Sequence, residues 1–170
     1  MDKTEYWLRG PVPEVPALLQ PVAHALLQSV MEVRDALKDF PTERLWDQPA
    51  GLASVAFHLQ HLKGVTNRLL TYARGEQLSP EQLDLLKMEG TKINNLTVDA
   101  LIDAYEREVD NALGQVKTFN EADLLSPRAV GRKMIPSNVL GLLFHAAEHA
   151  QRHTGQLLVT AKVAMHAINV

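Results

Sequence analysis

Apolar residues return at three- and four-residue steps through most of this chain, and that spacing is the period of an α-helix. Leu18, Val22, Leu26, Val30, Val33 and Leu37 form the first series and predict a helix between residues 16 and 40, stopped by Pro41. Pro21 lies inside it, so the helix either begins near that residue or kinks there. A second helix over about 52–74 carries Val55, Leu59, Leu62, Val65, Leu69 and Tyr72 on one stripe, with Gly75 as its C-cap. "SPEQLDLLKMEG" opens a short third helix, with Ser79 as N-cap, Pro80 in the first turn and Gln82 in the capping-box position. A fourth begins after Thr97 and turns Leu101, Tyr105, Val109, Ala112 and Val116 inward. Residues 118–136 carry no clear period, and a fifth helix capped by Ser137 continues to about 165. No run of alternating β-branched residues is present, so no sheet is expected. The 170 residues are read as one all-α domain, 1–170, whose long helices pack around a common core.

The formal net charge of −3 argues against a general binder of phosphate backbones. The one local basic cluster, "SPRAVGRKM" with Arg128, Arg132 and Lys133, reads as a solvated loop. No segment reaches the ~18 consecutive apolar residues of a membrane span, and the first residues hold charge and proline where a signal peptide needs an apolar run. The expectation is a cytoplasmic protein with no nucleic-acid or membrane partner. The chain has no cysteine, which excludes a disulfide scaffold, a thiolate nucleophile and a cysteine-based zinc site.

Histidine is therefore the nitrogen ligand available, and five of the seven fall on two short segments: "FHLQHL", with His58 and His61, and "HAAEHAQRHTGQ", with His145, His149 and His153. Residues four apart on a helix stand roughly 6 Å from each other, so His145/His149 and His149/His153 are each spaced to share an ion. The outer two are about 12 Å apart along the axis and cannot both reach it. The histidines border a stripe of Leu143, Ala147, Ala150, Leu157, Ala161 and Ala164, which places them on the wall of a groove between helices. Either His58 or His61 could complete a set of three, the number of protein ligands at a catalytic zinc that keeps its fourth position open. His24 and His166 read as surface or hydrogen-bonded residues. "HAAEH" also fits H-x-x-E-H, with Glu148 as a general base, although a short motif on an alanine-rich helix matches easily by chance.

Taken together, "ASVAFHLQHLKGVTNRLLTYARGE" and "LLFHAAEHAQRHTGQLL" resemble the DinB-like (DinB/YfiT) family of metalloenzymes, and the resemblance extends to "YWLRGPVPEV" and "LWDQPAG". It implies a four-helix bundle with one additional short helix, commonly a homodimer. Carried over position by position, it implies that His61, His149 and His153 are the metal ligands. His58 and His145 are then neighbours one turn away, suited to hydrogen bonding or proton transfer.

Some members of that family are similar to transferases and isomerases that use small thiols, so the resemblance implies a divalent ion and a low-molecular-weight thiol as substrate; affinity at imidazole ligands and abundance favour Zn2+, with Ni2+ as the alternative. A thiol bound beside an ion held by neutral ligands is deprotonated near pH 7. Lacking cysteine, the chain would take that thiol from a substrate. Two alternatives stand beside this reading: a metal-hydroxide hydrolase using the same electrostatics, and a non-enzymatic bundle with a structural or vestigial metal site serving dimerisation or binding.

Overall fold

In the computed structural model, which describes residues 4–166, five helices and one hairpin follow the chain. The helices are α1 (Gln20–Ala36), α2 (Val55–Ala73), α3 (Pro80–Met88), α4 (Val98–Val116) and α5 (Val139–His166). The four long ones form an all-α bundle in which α5 packs against α1 and α2, while α4 packs against the same two from the other side. The short α3 lies on α2. Among the described residues no helix is long and apolar enough to cross a membrane.

The apolar stripes of α2, α4 and α5 are buried as their periodicity predicts, from Val55 through Tyr72, Leu101 through Val116 and Leu143 through Ala164. The first stripe needs one correction. Leu18 is exposed, and Leu19 takes its place in the core. The cause is Pro21, which sits in the first turn of α1, where a missing N–H costs nothing. The residues before it wind as a separate 3-10 turn, Ala17–Leu19, and are rotated off the helical phase.

The helix ends follow local chemistry. Ser54 and Thr97 accept hydrogen bonds from the N–H groups of Phe57 and Ala100, and Ser79 and Gln82 form a reciprocal capping box. Behind α2, the Gly75 N–H donates to the Tyr72 carbonyl and the Glu76 N–H to that of Thr71, a Schellman end. The cap of α5 is Asn138, not Ser137: its Oδ1 accepts from the Gly141 N–H at 2.7 Å.

A second correction concerns the loop before α5. Residues Pro127–Val130 (β1) and Ile135–Asn138 (β2) pair antiparallel, Pro127 opposite Asn138 and Val130 opposite Ile135. Two four-residue strands that are half exposed and interrupted by Pro127 and Pro136 leave too little alternation to read. Arg128 is not a solvated loop residue either. Its Nε donates to the Ala73 carbonyl at 2.7 Å, so the hairpin covers the C-terminal end of α2.

At the centre of the bundle the Ser29 Oγ lies 2.7 Å from the Tyr105 hydroxyl and 2.6 Å from Thr154 Oγ1. All three side chains are buried, so each hydroxyl needs a partner, and this chain supplies one across α1, α4 and α5. Those hydrogen bonds tie α1, α4 and α5 together in the core.

Candidate metal centre

Two helices bring four histidines together. His58 and His61 stand on α2, and His149 and His153 on α5, where the two helices pack along their length. Ring centroids of His61 and His153 are 4.4 Å apart, those of His149 and His153 4.6 Å, and those of His61 and His149 5.2 Å. One nitrogen from each of these three lies within 4.8 Å of the others, a spacing that could hold a metal ion. The closest approach is 2.9 Å, between His61 Nε2 and His149 Nε2. Small residues on α5, Ala146 and Ala150, are fully buried and permit the close packing.

Each ring has a distinct setting. His61 Nδ1 lies 2.7 Å from Glu89 Oε2, while Glu89 Oε1 accepts from Arg68 Nη1 at 2.6 Å. Burial opposes ionisation of Glu89, but the hydrogen bonds from His61 and Arg68 outweigh it and hold the carboxyl below its ordinary range. An ionised carboxylate can only accept, so the His61 proton resides on Nδ1 and Nε2 presents a lone pair toward α5. On the other side Phe57 stacks on the His61 ring, with centroids 5.4 Å apart and planes 7° from parallel.

Burial lowers the pKa of His149, and the cost of a second positive charge beside the His61 ring lowers it further. Its Nδ1 is buried without a hydrogen-bond partner. Burial, followed by the cost of a further positive charge beside the His61 and His149 rings, lowers His153 to about 4, and burial followed by the same cost beside His61 lowers His58 to about 4. Both rings are therefore neutral at pH 7, the state an imidazole needs in order to ligate. His58 Nδ1 faces His153 Nδ1 at 3.1 Å, a contact that needs a proton on one atom and a lone pair on the other.

His145 stands apart. It is about half exposed, meets the His149 ring edge-on at 5.0 Å, and has Nδ1 2.6 Å from Glu148 Oε1. His145, Glu148 and His149 also offer atoms within 4.8 Å of one another. However, Glu148 Oε2 accepts from Arg152 Nη2 at 2.6 Å, so both carboxylate oxygens are engaged and a guanidinium already neutralises the charge. Three imidazole nitrogens from two helices, one of them oriented by a buried carboxylate, suit a divalent cation better than this single-helix group beside an arginine. Away from the cluster, His24 Nε2 and His166 Nδ1 meet the Gly10 and Lys162 carbonyls at 3.0 and 2.8 Å.

Glu89 and Arg68 escape the sequence reading. Glu89 follows α3, 28 residues from His61, and no spacing rule connects them. The nearest signal is glycine. Gly64 lies inside α2, where glycine costs about 1 kcal/mol relative to alanine, and a methyl group there would collide with Glu89 Oε1 and Arg68 Nη1. Gly90, at φ +82°, ends α3 in a left-handed turn, and its Cα packs against Phe57 so closely that a Cβ would lie 3.1 Å from the ring. These two glycines let the end of α3 settle on α2 and deliver Glu89 to His61.

Compared with known proteins, residues 25–157 match the family described as the DinB superfamily. That match spans both histidine segments, and the chain belongs to this superfamily. No curated protein matches it.

Proposed function

We propose that this member of the DinB superfamily is a divalent-metal-dependent enzyme of the transferase kind that acts with a small thiol. His61, His149 and His153 would hold the ion, most suitably Zn2+, with Ni2+ as the alternative at an imidazole site. The observation that carries this reading is the set of three imidazole nitrogens within 4.8 Å, to which no fourth side chain is added among the described residues. Glu89 is committed to His61 and Arg68, Glu148 to His145 and Arg152, and His58 to His153. Three protein ligands with an open position favour catalysis over a closed structural site.

When bound, the ion supplies Lewis acidity that lowers the pKa of a thiol or water beside it. The protein's own residues do the positioning. Glu89 keeps the His61 proton on Nδ1 and aims Nε2 at the site. Phe57 covers one face of that ring and excludes water there. His153, ligating through Nε2, would donate its Nδ1 proton to His58. His145, half exposed and hydrogen-bonded to Glu148, is placed at the rim to exchange protons with solvent. The protein has no cysteine, so the nucleophilic thiol belongs to the substrate.

The test is the visible spectrum of the cobalt-substituted protein. Addition of a low-molecular-weight thiol is expected to intensify the ligand-field bands and add a sulfur-to-metal charge-transfer band. A spectrum that thiols leave unchanged would instead favour a metal-binding bundle without thiol chemistry.

A further inference from the structure

Next to the histidine cluster, between the loop preceding α2 and the C-terminal half of α5, lies a cavity of about 490 Å³. Leu52, Ala53 and Val159 provide its apolar walls, and His58, Gln156 and Thr160 its polar atoms. We propose that this cavity binds a small neutral carbonyl compound carrying an apolar group.

Two observations support the polar half of that assignment. Thr160 is only 3% exposed, yet its hydroxyl has no hydrogen-bond partner among the described residues. Thr66 and Thr71, also buried in a helix, donate theirs to the carbonyls of Leu62 and Asn67 one turn back. That hydroxyl borders the cavity and is free to donate to a ligand acceptor there. His58 is 4% exposed, and with Nδ1 turned to His153 its remaining nitrogen is Nε2. The Thr160 hydroxyl and the Gln156 amide are donors in this lining, and a carbonyl oxygen is an acceptor that suits them.

Charge selects against ionised ligands. No lysine, arginine, aspartate or glutamate lines the cavity, so nothing there would compensate a carboxylate or an ammonium brought out of water. The apolar remainder of the molecule would lie on Leu52 and Val159, which are 48% and 60% exposed without it. The cavity meets the metal centre through the His58–His153 contact, which puts it where the electrophilic partner of a metal-activated thiol would sit. That role rests on the function proposed above; the preference for a neutral carbonyl compound over an ionised one does not.

Benzamide, toluene and benzoate serve as probes of one shape and differ only in their polar group. Binding to the zinc-loaded protein is followed by NMR of valine and leucine methyl groups. Benzamide is expected to bind more tightly than toluene or benzoate and to shift the Val159 methyl signals. Val159→Trp, at an exposed position that folding tolerates, should abolish binding of all three. Thr160→Val should weaken benzamide about fivefold, the worth of one hydrogen bond, and leave toluene unchanged. Benzoate binding as well as benzamide, or Val159→Trp leaving affinity intact, would overturn the proposal. Zinc and thiol binding intact with no benzamide binding would overturn the cavity assignment alone. Benzamide binding that follows this pattern, beside a cobalt spectrum insensitive to thiols, would overturn the thiol reading alone.

Discussion

Glu89 Oε2 lies 2.7 Å from His61 Nδ1, and through that contact a residue just past the end of a short helix fixes the tautomer of a histidine 28 positions earlier. Removing the carboxylate while keeping its shape separates orientation from folding. Glu89→Gln is expected to lower zinc affinity about 10–100-fold, the usual cost of losing a partner that orients a metal-binding histidine. Competition titration against a chromophoric chelator measures it. Unchanged affinity would mean that His61 needs no such partner.

Gly64 and Gly114 give opposite results for the same substitution. Alanine gains up to about 1 kcal/mol of helix propensity over glycine. Gly114 on α4 has nothing within 4 Å of where a Cβ would stand, so Gly114→Ala should stabilise the protein by a part of that amount. Gly64→Ala should destabilise it, because the added methyl would displace the buried Arg68–Glu89 ion pair, whose nitrogen and oxygen are 2.6 Å apart. Chemical denaturation of both variants reads the two signs directly.

The core hydroxyl chain makes a prediction about stability alone. Ser29→Ala leaves the Tyr105 and Thr154 hydroxyls without their shared partner in a fully buried site. The expected loss is about 1–3 kcal/mol, with metal stoichiometry unaltered. A neutral effect would show that the two remaining groups find each other.

Much of this was legible in the sequence. The period of α2, α4 and α5 specified which faces are buried, because each stripe faces one neighbouring pair of helices. Histidine spacing on two segments pointed to the wall where α2 meets α5. Geometry alone left His145/His149 and His149/His153 open, and it left His58 open against His61. What could not be read depends on contacts between distant segments. Glu89 reaches His61 because Gly64 leaves room and Gly90 turns the chain, and neither glycine announces a partner. The hairpin before α5 is held by Arg128 reaching the end of α2, which no local pattern encodes. Leu18 was misplaced by one position because Pro21 restarts the helical phase.

Acid should destabilise the metal-free protein in a defined window. His58 and His153 have folded-state pKa values of about 4, against about 6.5 for an unfolded chain. The unfolded chain therefore binds more protons between those values, and stability rises with pH across them. The contribution is complete above about pH 6.5 and is lost as pH falls toward 4. Glu89, held below its ordinary range, adds a further loss only at lower pH. Denaturation midpoints should thus fall steadily from pH 6.5 to 4; a flat profile there would contradict neutral, buried rings at these two positions.

The central claim is that His61, His149 and His153 hold one ion, and zinc content after exhaustive dialysis tests it most directly. The comparison is His153→Ala against His145→Ala, two substitutions one turn to either side of His149 on α5. His153→Ala should empty the site, whereas His145→Ala should retain close to one zinc per chain, since His145 is half exposed and engaged with Glu148. If His145→Ala empties the site and His153→Ala retains the metal, the ion belongs to His145, Glu148 and His149, and the three-histidine centre is wrong.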